Sequence, residues 1–271
     1  MKFNYLKQLS TYQKNSLVAM ITIIILIKMS PLVNFVTHYY TIFFHELGHT
    51  IAAWMLGSMA IPTFNTVSGG GATYQIGRPF ILALINFIFV ISILLAIKNR
   101  SKKTNSKKLM MFFVIYCLIF FSSLREIIIT SMGIGGELIF SFIFTWYALF
   151  KLQTKYDGKG IFYLFLALIL LINSVFFATS LIFNEVAIQR YINHDGITND
   201  LVKLTQSTGL SISFYSWMVL FIAFFGFLKI LKINKIQPPS KQKIKKIIKN
   251  HFQFSLRKGQ EFIEKFKNSK H

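Results

Sequence analysis

The chain has 271 residues, of which 54% are hydrophobic, 16% aromatic and only 14% charged. Soluble domains carry about 25% charged residues, so this composition excludes an ordinary soluble protein. The net charge is +21, from 30 basic and 9 acidic residues. The basic residues lie in loops and in the C-terminal tail, where membrane orientation and anionic lipid account for them, and we expect no nucleic-acid partner.

Long apolar runs predict an all-α polytopic membrane protein with about six to seven transmembrane helices. In lipid every backbone polar group must be satisfied internally, and the runs are too long for the strands of a barrel. The turn between the fourth and fifth helices has two candidate positions, at residues 122–126 and 131–136. In chain order, the predicted helices are 15–29, 31–57, 80–98, 109–126, 127–150, 161–184 and 212–233.

One segment between the second and third predicted helices has a different pattern. Residues 61–79 read IPTFNTVSGGGATYQIGRP, which alternates in polarity and contains three consecutive glycines flanked by Thr, Val and Tyr. This pattern predicts a short β-hairpin or re-entrant loop.

The domain organisation follows from charge. We predict an integral membrane domain over residues 1–235 and a basic amphipathic tail over 236–271, whose interleaved Ile and Phe suit binding to anionic lipid. The basic loops and the tail should be cytoplasmic, and the loop 185–211 should lie on the opposite side. The orientation of the N-terminus stays open. An N-terminus outside the cell gives seven crossings, whereas a cytoplasmic N-terminus requires that one of the first two helices does not span the membrane. The oligomeric state is unconstrained.

The predicted helix 31–57 contains the stretch FFHELGHTIAAWMLG, at residues 43–57. His45 and His49 are four residues apart and therefore share one helix face. That spacing lets two imidazoles bind one Zn²⁺ beside Glu46, which can accept a proton from water. Two interfacial histidines beside a snorkelling glutamate are the structural alternative. That alternative does not explain why all three lie in the middle of an apolar helix.

HELGH, the following TIAAWMLGS and the glycine-rich segment with its threonine resemble the site-2-protease class of intramembrane zinc metallopeptidases, peptidase family M50. The similarity is greatest to the M50B-like branch. The resemblance implies that His45 and His49 bind zinc and that Glu46 acts as the general base.

Three further residues carry weaker parts of the resemblance. Gly70 and Thr73 belong to the glycine-rich segment, where a hairpin could bind an extended substrate segment as an added strand. A tight turn at the membrane surface is the alternative. Asn86, in ALINFIFVIS, is similar to the family's asparagine at the start of the helix after the hairpin, although the Gly-Pro that usually precedes it is missing. The resemblance implies that Asn86 helps to position the substrate or the hairpin. A hydrogen bond between helices would explain Asn86 equally well.

Catalytic zinc usually has three protein ligands, and the aspartate of the family's later LDG motif has no match here. At membrane depth the chain offers only Glu126 and Glu137. We predict Glu137 as the third metal ligand, because the glycines before it would let helices approach closely. Glu126 and the region of Asp195 stay open as alternatives. Glu126 could instead pair with Arg125, and Glu137 could lie at a capped helix start.

These features predict an intramembrane zinc metalloendopeptidase of the HExxH type that cleaves membrane-spanning or membrane-proximal segments of other proteins. We expect it in a bacterial cytoplasmic (inner) membrane. One alternative is a zinc-binding membrane protein without proteolytic activity, such as an assembly factor or a transporter component. Another is a hydrolase of lipids or small molecules.

Overall fold

The computed structural model describes residues 9–28, 30–65, 70–100, 106–153, 155–192 and 199–233. The chain divides into two units, Met1–Lys232 and Ile233–His271, and the predicted tail at 236–271 lies outside the described residues. In chain order, the elements are α1 (Thr11–Lys28), α2 (Pro31–Met55), β1 (Met59–Asn65), β2 (Gly70–Gly77), α3 (Phe80–Arg100), α4 (Ser106–Phe121), α5 (Leu124–Lys151), α6 (Gly158–Phe183), α7 (Glu185–Ile192), α8 (Asp200–Thr208) and α9 (Ile212–Ile233).

The predicted class of helical membrane protein is confirmed. Within the described part of the chain, α5, α6 and α9 are long and apolar enough to cross a membrane, and the bent pair of α1 and α2 adds a fourth if it counts as one span. The apolar stretches of α3 and α4 are shorter, Phe80–Ile93 and Leu109–Phe121. Length and composition thus give three to four spans in this part, and the predicted number of six to seven stays a prediction.

The HELGH-containing helix α2 begins as its sequence predicts. Ser30 occupies the N-cap in an extended conformation and Pro31 the first helical position, where its missing N–H costs nothing. The helix ends at Met55, two residues before the predicted end. Gly57 follows with a φ of +77°, a conformation that side chains other than glycine's rarely adopt.

The glycine-rich segment forms a β-hairpin, one of its two predicted forms. Strands β1 and β2 pair antiparallel in a register that runs from Met59 opposite Gly77 to Asn65 opposite Gly70. Both strands also pack against α2. At the hairpin entrance, the Trp54 indole N–H donates to the Ala60 carbonyl at 2.8 Å, which ties the start of β1 to the end of α2.

Helix α5 is continuous through its glycines, so the turn before it lies at residues 122–123 rather than at 131–136. It packs against both α6 and α2. At the crossing with α2, a Cβ added to Gly136 would lie 2.6 Å from the Cα of Gly48, so the two backbones are in direct contact. Small residues permit this approach, as the sequence predicted for the glycines before Glu137.

The loop predicted over residues 185–211 contains two short helices, α7 and α8, which the sequence reading missed. Helix α8 has an aspartate, Asp200, in its first turn and ends at Gly209, whose φ is +76°. Leu201 and Leu204 are buried, and α8 packs against α5. This amphipathic helix therefore belongs to the core of the unit rather than to a free loop.

Candidate metal centre

Two histidines from α2 and one aspartate from α8 converge on a single point. His45, His49 and Asp200 offer potential ligand atoms that all lie within 4.8 Å of one another. The Nε2 atoms of both histidines are 2.8 Å from the same carboxylate oxygen, Oδ2 of Asp200. Because the histidines are one helical turn apart, α2 alone presents the two nitrogens. Helix α8 supplies the third atom, from a residue 151 positions after His49.

The other ring nitrogen of each histidine determines which tautomer faces the aspartate. Nδ1 of His49 is 2.7 Å from the Ile129 carbonyl oxygen, which can only accept, so that nitrogen carries a proton and donates. Nδ1 of His45 is 2.7 Å from Oε1 of Glu137, where a carboxylate accepts in the same way. In the neutral form of each ring, Nε2 then presents a lone pair.

Three lone pairs directed at one point repel one another unless a cation lies among them or the imidazoles are protonated. Two imidazole nitrogens with one carboxylate oxygen form a donor set that suits Zn²⁺ and leaves a coordination position open. Metal-binding histidines usually donate their other ring N–H to a carboxylate or a carbonyl, as both Nδ1 atoms do here. The residues present therefore fit a zinc ion.

Glu137, predicted as the third ligand, lies behind His45 and outside the group of three converging residues. Its Oε1 accepts from His45, and its Oε2 accepts from the Ser174 hydroxyl at 2.7 Å. Both carboxylate oxygens are therefore engaged on the side away from Asp200. The geometry favours Asp200 as the third ligand and an orienting role for Glu137.

Of the two alternative ligands, only Glu126 lies within the described residues, and it does not join the cluster. Glu126 pairs with Arg125 at 2.6 Å, the ion pair named as its structural alternative, and half of its side chain is exposed. Asp195 lies outside the described residues.

Glu46 is buried beside the cluster and is held by the hairpin. Its Oε2 accepts a hydrogen bond from the Thr73 hydroxyl at 2.8 Å, so Thr73 contacts the predicted general base directly. Strand β2 passes so close that a Cβ added to Gly71 would lie 2.6 Å from Cγ of Glu46. The glycine that this approach requires is therefore Gly71, the neighbour of the predicted Gly70.

The other two residues given a substrate-binding role lie at structural positions. Gly70 pairs with Asn65 at the end of the two-stranded ladder where the chain passes from β1 to β2. The Asn86 side chain donates to the Trp54 carbonyl near the end of α2, which is the hydrogen bond between helices considered as its alternative role. A substrate-binding role for either residue stays a prediction.

A cavity of about 550 Å³ opens at this centre. Its walls include the three converging residues, Glu46, Glu137 and the β2 residues from Gly71 to Thr73. The Glu46 carboxylate, the three potential metal ligands and part of strand β2 thus line one space, whose volume is typical of ligand pockets.

Gly133 on α5 lies directly against the two imidazoles. A Cβ at this position would lie 2.4 Å from Nε2 of His45 and 2.5 Å from Nε2 of His49. Side chains other than glycine's are therefore excluded where the histidine nitrogens converge.

The sequence contains two features that could have identified Asp200 as a candidate site residue. The chain has only three aspartates, and one of them, Asp157, lies in a basic loop. Asn199-Asp200 followed by apolar residues at 201 and 204 is typical of a helix start with an acidic first turn.

The fold is that of a helical membrane protein, and both histidines of its HELGH sequence belong to a group of residues that could hold a metal ion. A model of the peptidase M50B-like family matches residues 17–231, and the chain belongs to that family. No curated protein and no solved structure matches the chain. M50 peptidases are zinc-dependent metalloproteases, so the chain is an integral membrane protein of a metallopeptidase family.

Proposed function

We propose that this protein is an intramembrane zinc metalloendopeptidase that hydrolyses peptide bonds in membrane-spanning or membrane-proximal segments of other membrane proteins. The observation that carries the proposal is the convergence of His45 Nε2, His49 Nε2 and Asp200 Oδ2 beside the buried Glu46, at the wall of a peptide-sized cavity. Family membership supports the same reaction class.

His45, His49 and Asp200 would hold the metal. A zinc ion bound there supplies Lewis acidity, which makes water nucleophilic at neutral pH and polarises a carbonyl group. Glu137 and the Ile129 carbonyl hold the two imidazoles with Nε2 facing inward, so little reorganisation is needed on binding. Glu137 is thus an orienting residue rather than a ligand.

Glu46 acts as the general base and then as the general acid. It accepts a proton from the attacking water and delivers it to the leaving amine nitrogen. The Thr73 hydroxyl fixes the Glu46 carboxylate by donating to Oε2, which leaves Oε1 free to receive the proton. Strand β2 brings its backbone against Glu46 at Gly71, so an extended substrate segment paired with β2 would pass the base.

The substrate class follows from where the cavity is built. Its walls come mainly from α2, α5 and strand β2, with fewer residues from α6 and α8. The hairpin also carries exposed apolar side chains such as Ile61 and Ile76. A segment that arrives within the membrane reaches such a site more readily than a soluble chain. We also propose that the protein lies in a bacterial cytoplasmic membrane. Its tail, which lies outside the described residues, would be cytoplasmic and would bind anionic lipid.

The test measures zinc and cleavage separately in detergent-purified protein and in cells. Wild type should hold about one zinc per chain, Asp200→Asn should lose it, and Glu46→Gln should keep it. In cells, new N-termini inside membrane-spanning segments should appear with wild type and be absent with Glu46→Gln. The same new termini with both proteins would refute the peptidase proposal. Zinc in wild type without any such termini would favour the non-proteolytic zinc-binding alternative.

A further inference from the structure

Tyr191, on α7, makes hydrogen bonds with the residue immediately before Asp200 and with the residue immediately after it. Its main-chain carbonyl accepts from the side-chain amide of Asn199, and its hydroxyl oxygen accepts from the backbone N–H of Leu201 at 3.2 Å. The residue before Asp200 and the residue after it are therefore both attached to one tyrosine.

The start of α8 depends on this tyrosine because the helix does not cap itself. Asn199 occupies the N-cap position but makes no side-chain capping hydrogen bond. The first N–H groups of a helix have no partner within the helix and need one from outside. The Tyr191 hydroxyl meets that need for Leu201 from a different helix.

Tyr191 is itself held firmly. Its ring packs edge-on against Phe177 of α6, with ring centroids 5.4 Å apart, and it lines the same cavity as the three converging residues. Burial raises the pKa of the Tyr191 hydroxyl above its ordinary value, so the group stays neutral. The tyrosine thus connects α8 to the spanning helix α6.

We infer that Tyr191 is a positioning residue of the metal centre, which places Asp200 against the two imidazoles by fixing the first turn of α8. The inference rests on the proposed zinc site. His45 and His49 need no such help, because both belong to the long helix α2 and each has its own Nδ1 partner. Asp200 belongs to a nine-residue helix, too short to hold its own position without outside contacts.

The matched variants are Tyr191→Phe and Tyr215→Phe. Each keeps the ring and removes one hydroxyl that bonds α8, but the Tyr215 hydroxyl contacts Thr208 at the far end of that helix. Asn199→Ala removes the other bond to Tyr191 without altering any ring. Zinc affinity is measured in the full-length purified chain by competition with a chromogenic chelator, and unfolding midpoints of the metal-free proteins provide the check on folding.

We expect zinc affinity to fall about tenfold in Tyr191→Phe and in Asn199→Ala, and to stay at the wild-type value in Tyr215→Phe. With Co²⁺ in place of zinc, the visible absorption spectrum should change in the first two variants only, because the geometry of the carboxylate ligand changes. Wild-type affinity in both Tyr191→Phe and Asn199→Ala would overturn the inference. No zinc binding by wild type would instead overturn the proposed metal centre on which the inference depends.

Discussion

Gly133 offers the sharpest test of the site geometry, through the substitution Gly133→Ala. The added Cβ would lie 2.4 Å from Nε2 of His45 and 2.5 Å from Nε2 of His49, whereas ordinary contact begins at 3.4 Å. Each imidazole would have to retreat by about 1 Å to relieve the overlap. Zinc sites tolerate ligand displacements of only about 0.2 Å. We therefore expect zinc content to fall from about one per chain to near zero, measured by elemental analysis of purified protein.

Retreat of the imidazoles would also break the hydrogen bonds that hold them. Nδ1 of His49 lies 2.7 Å from the Ile129 carbonyl oxygen, and Nδ1 of His45 lies 2.7 Å from Oε1 of Glu137. A shift of about 1 Å away from these partners would take either ring beyond hydrogen-bonding distance. The backbone of α5 itself should tolerate the change, because alanine is about 1 kcal/mol more favourable than glycine within a helix.

The control is Gly135→Ala on the same helix. Its added Cβ would contact only the Sδ atom of Met132, at 3.3 Å. The flexible Met132 side chain can move to relieve this close contact. This variant should keep its zinc. If Gly133→Ala binds zinc as tightly as wild type does, the histidine nitrogens do not converge beneath Gly133, and the proposed arrangement of the metal ligands is wrong.

Two further substitutions test the groups around the site. Thr73→Val should keep zinc and lower the cleavage rate about tenfold, because the Glu46 carboxylate loses a charged hydrogen bond of about 1.5 kcal/mol, while Thr73→Ser should retain most of the rate. Equal rates for the two variants would show that the hydroxyl does not position the base. Ser174→Ala should weaken zinc binding by up to about tenfold, because Glu137 loses a donor at 2.7 Å. Ser141→Ala removes a comparable buried hydrogen bond between α5 and α6, to the Ala167 carbonyl, and should leave zinc affinity unchanged.

Much of the fold was accessible from local pattern. The apolar runs predicted the seven longer helices because burial in lipid requires a continuous apolar stretch, and Ser30-Pro31 marked the start of α2 through the backbone requirements of a helix end. The alternating, glycine-rich segment predicted the hairpin. The glycines of α5 were ambiguous, because a glycine can mark a turn or a close helix contact, and only the packing against Gly48 distinguishes the two.

The short helices α7 and α8 were less accessible. Their polar composition looks like an extramembrane loop, and a nine-residue helix has little stability of its own. Leu201 and Leu204 become a buried stripe only because α5 is there to cover them.

The sequence alone determined the part of the proposed metal centre that lies within one helical turn. His45, Glu46 and His49 are placed by the periodicity of α2, which is a local property. The proposed third ligand is different, since Asp200 reaches the imidazoles only when α8 docks against α5. Spacing along the chain cannot show which carboxylate arrives in front of the histidines and which, like Glu137, arrives behind them. The tertiary structure makes that distinction. The crossing of α2 and α5 at paired glycines places Glu137 behind His45, and the docking of α8 places Asp200 in front of both imidazoles.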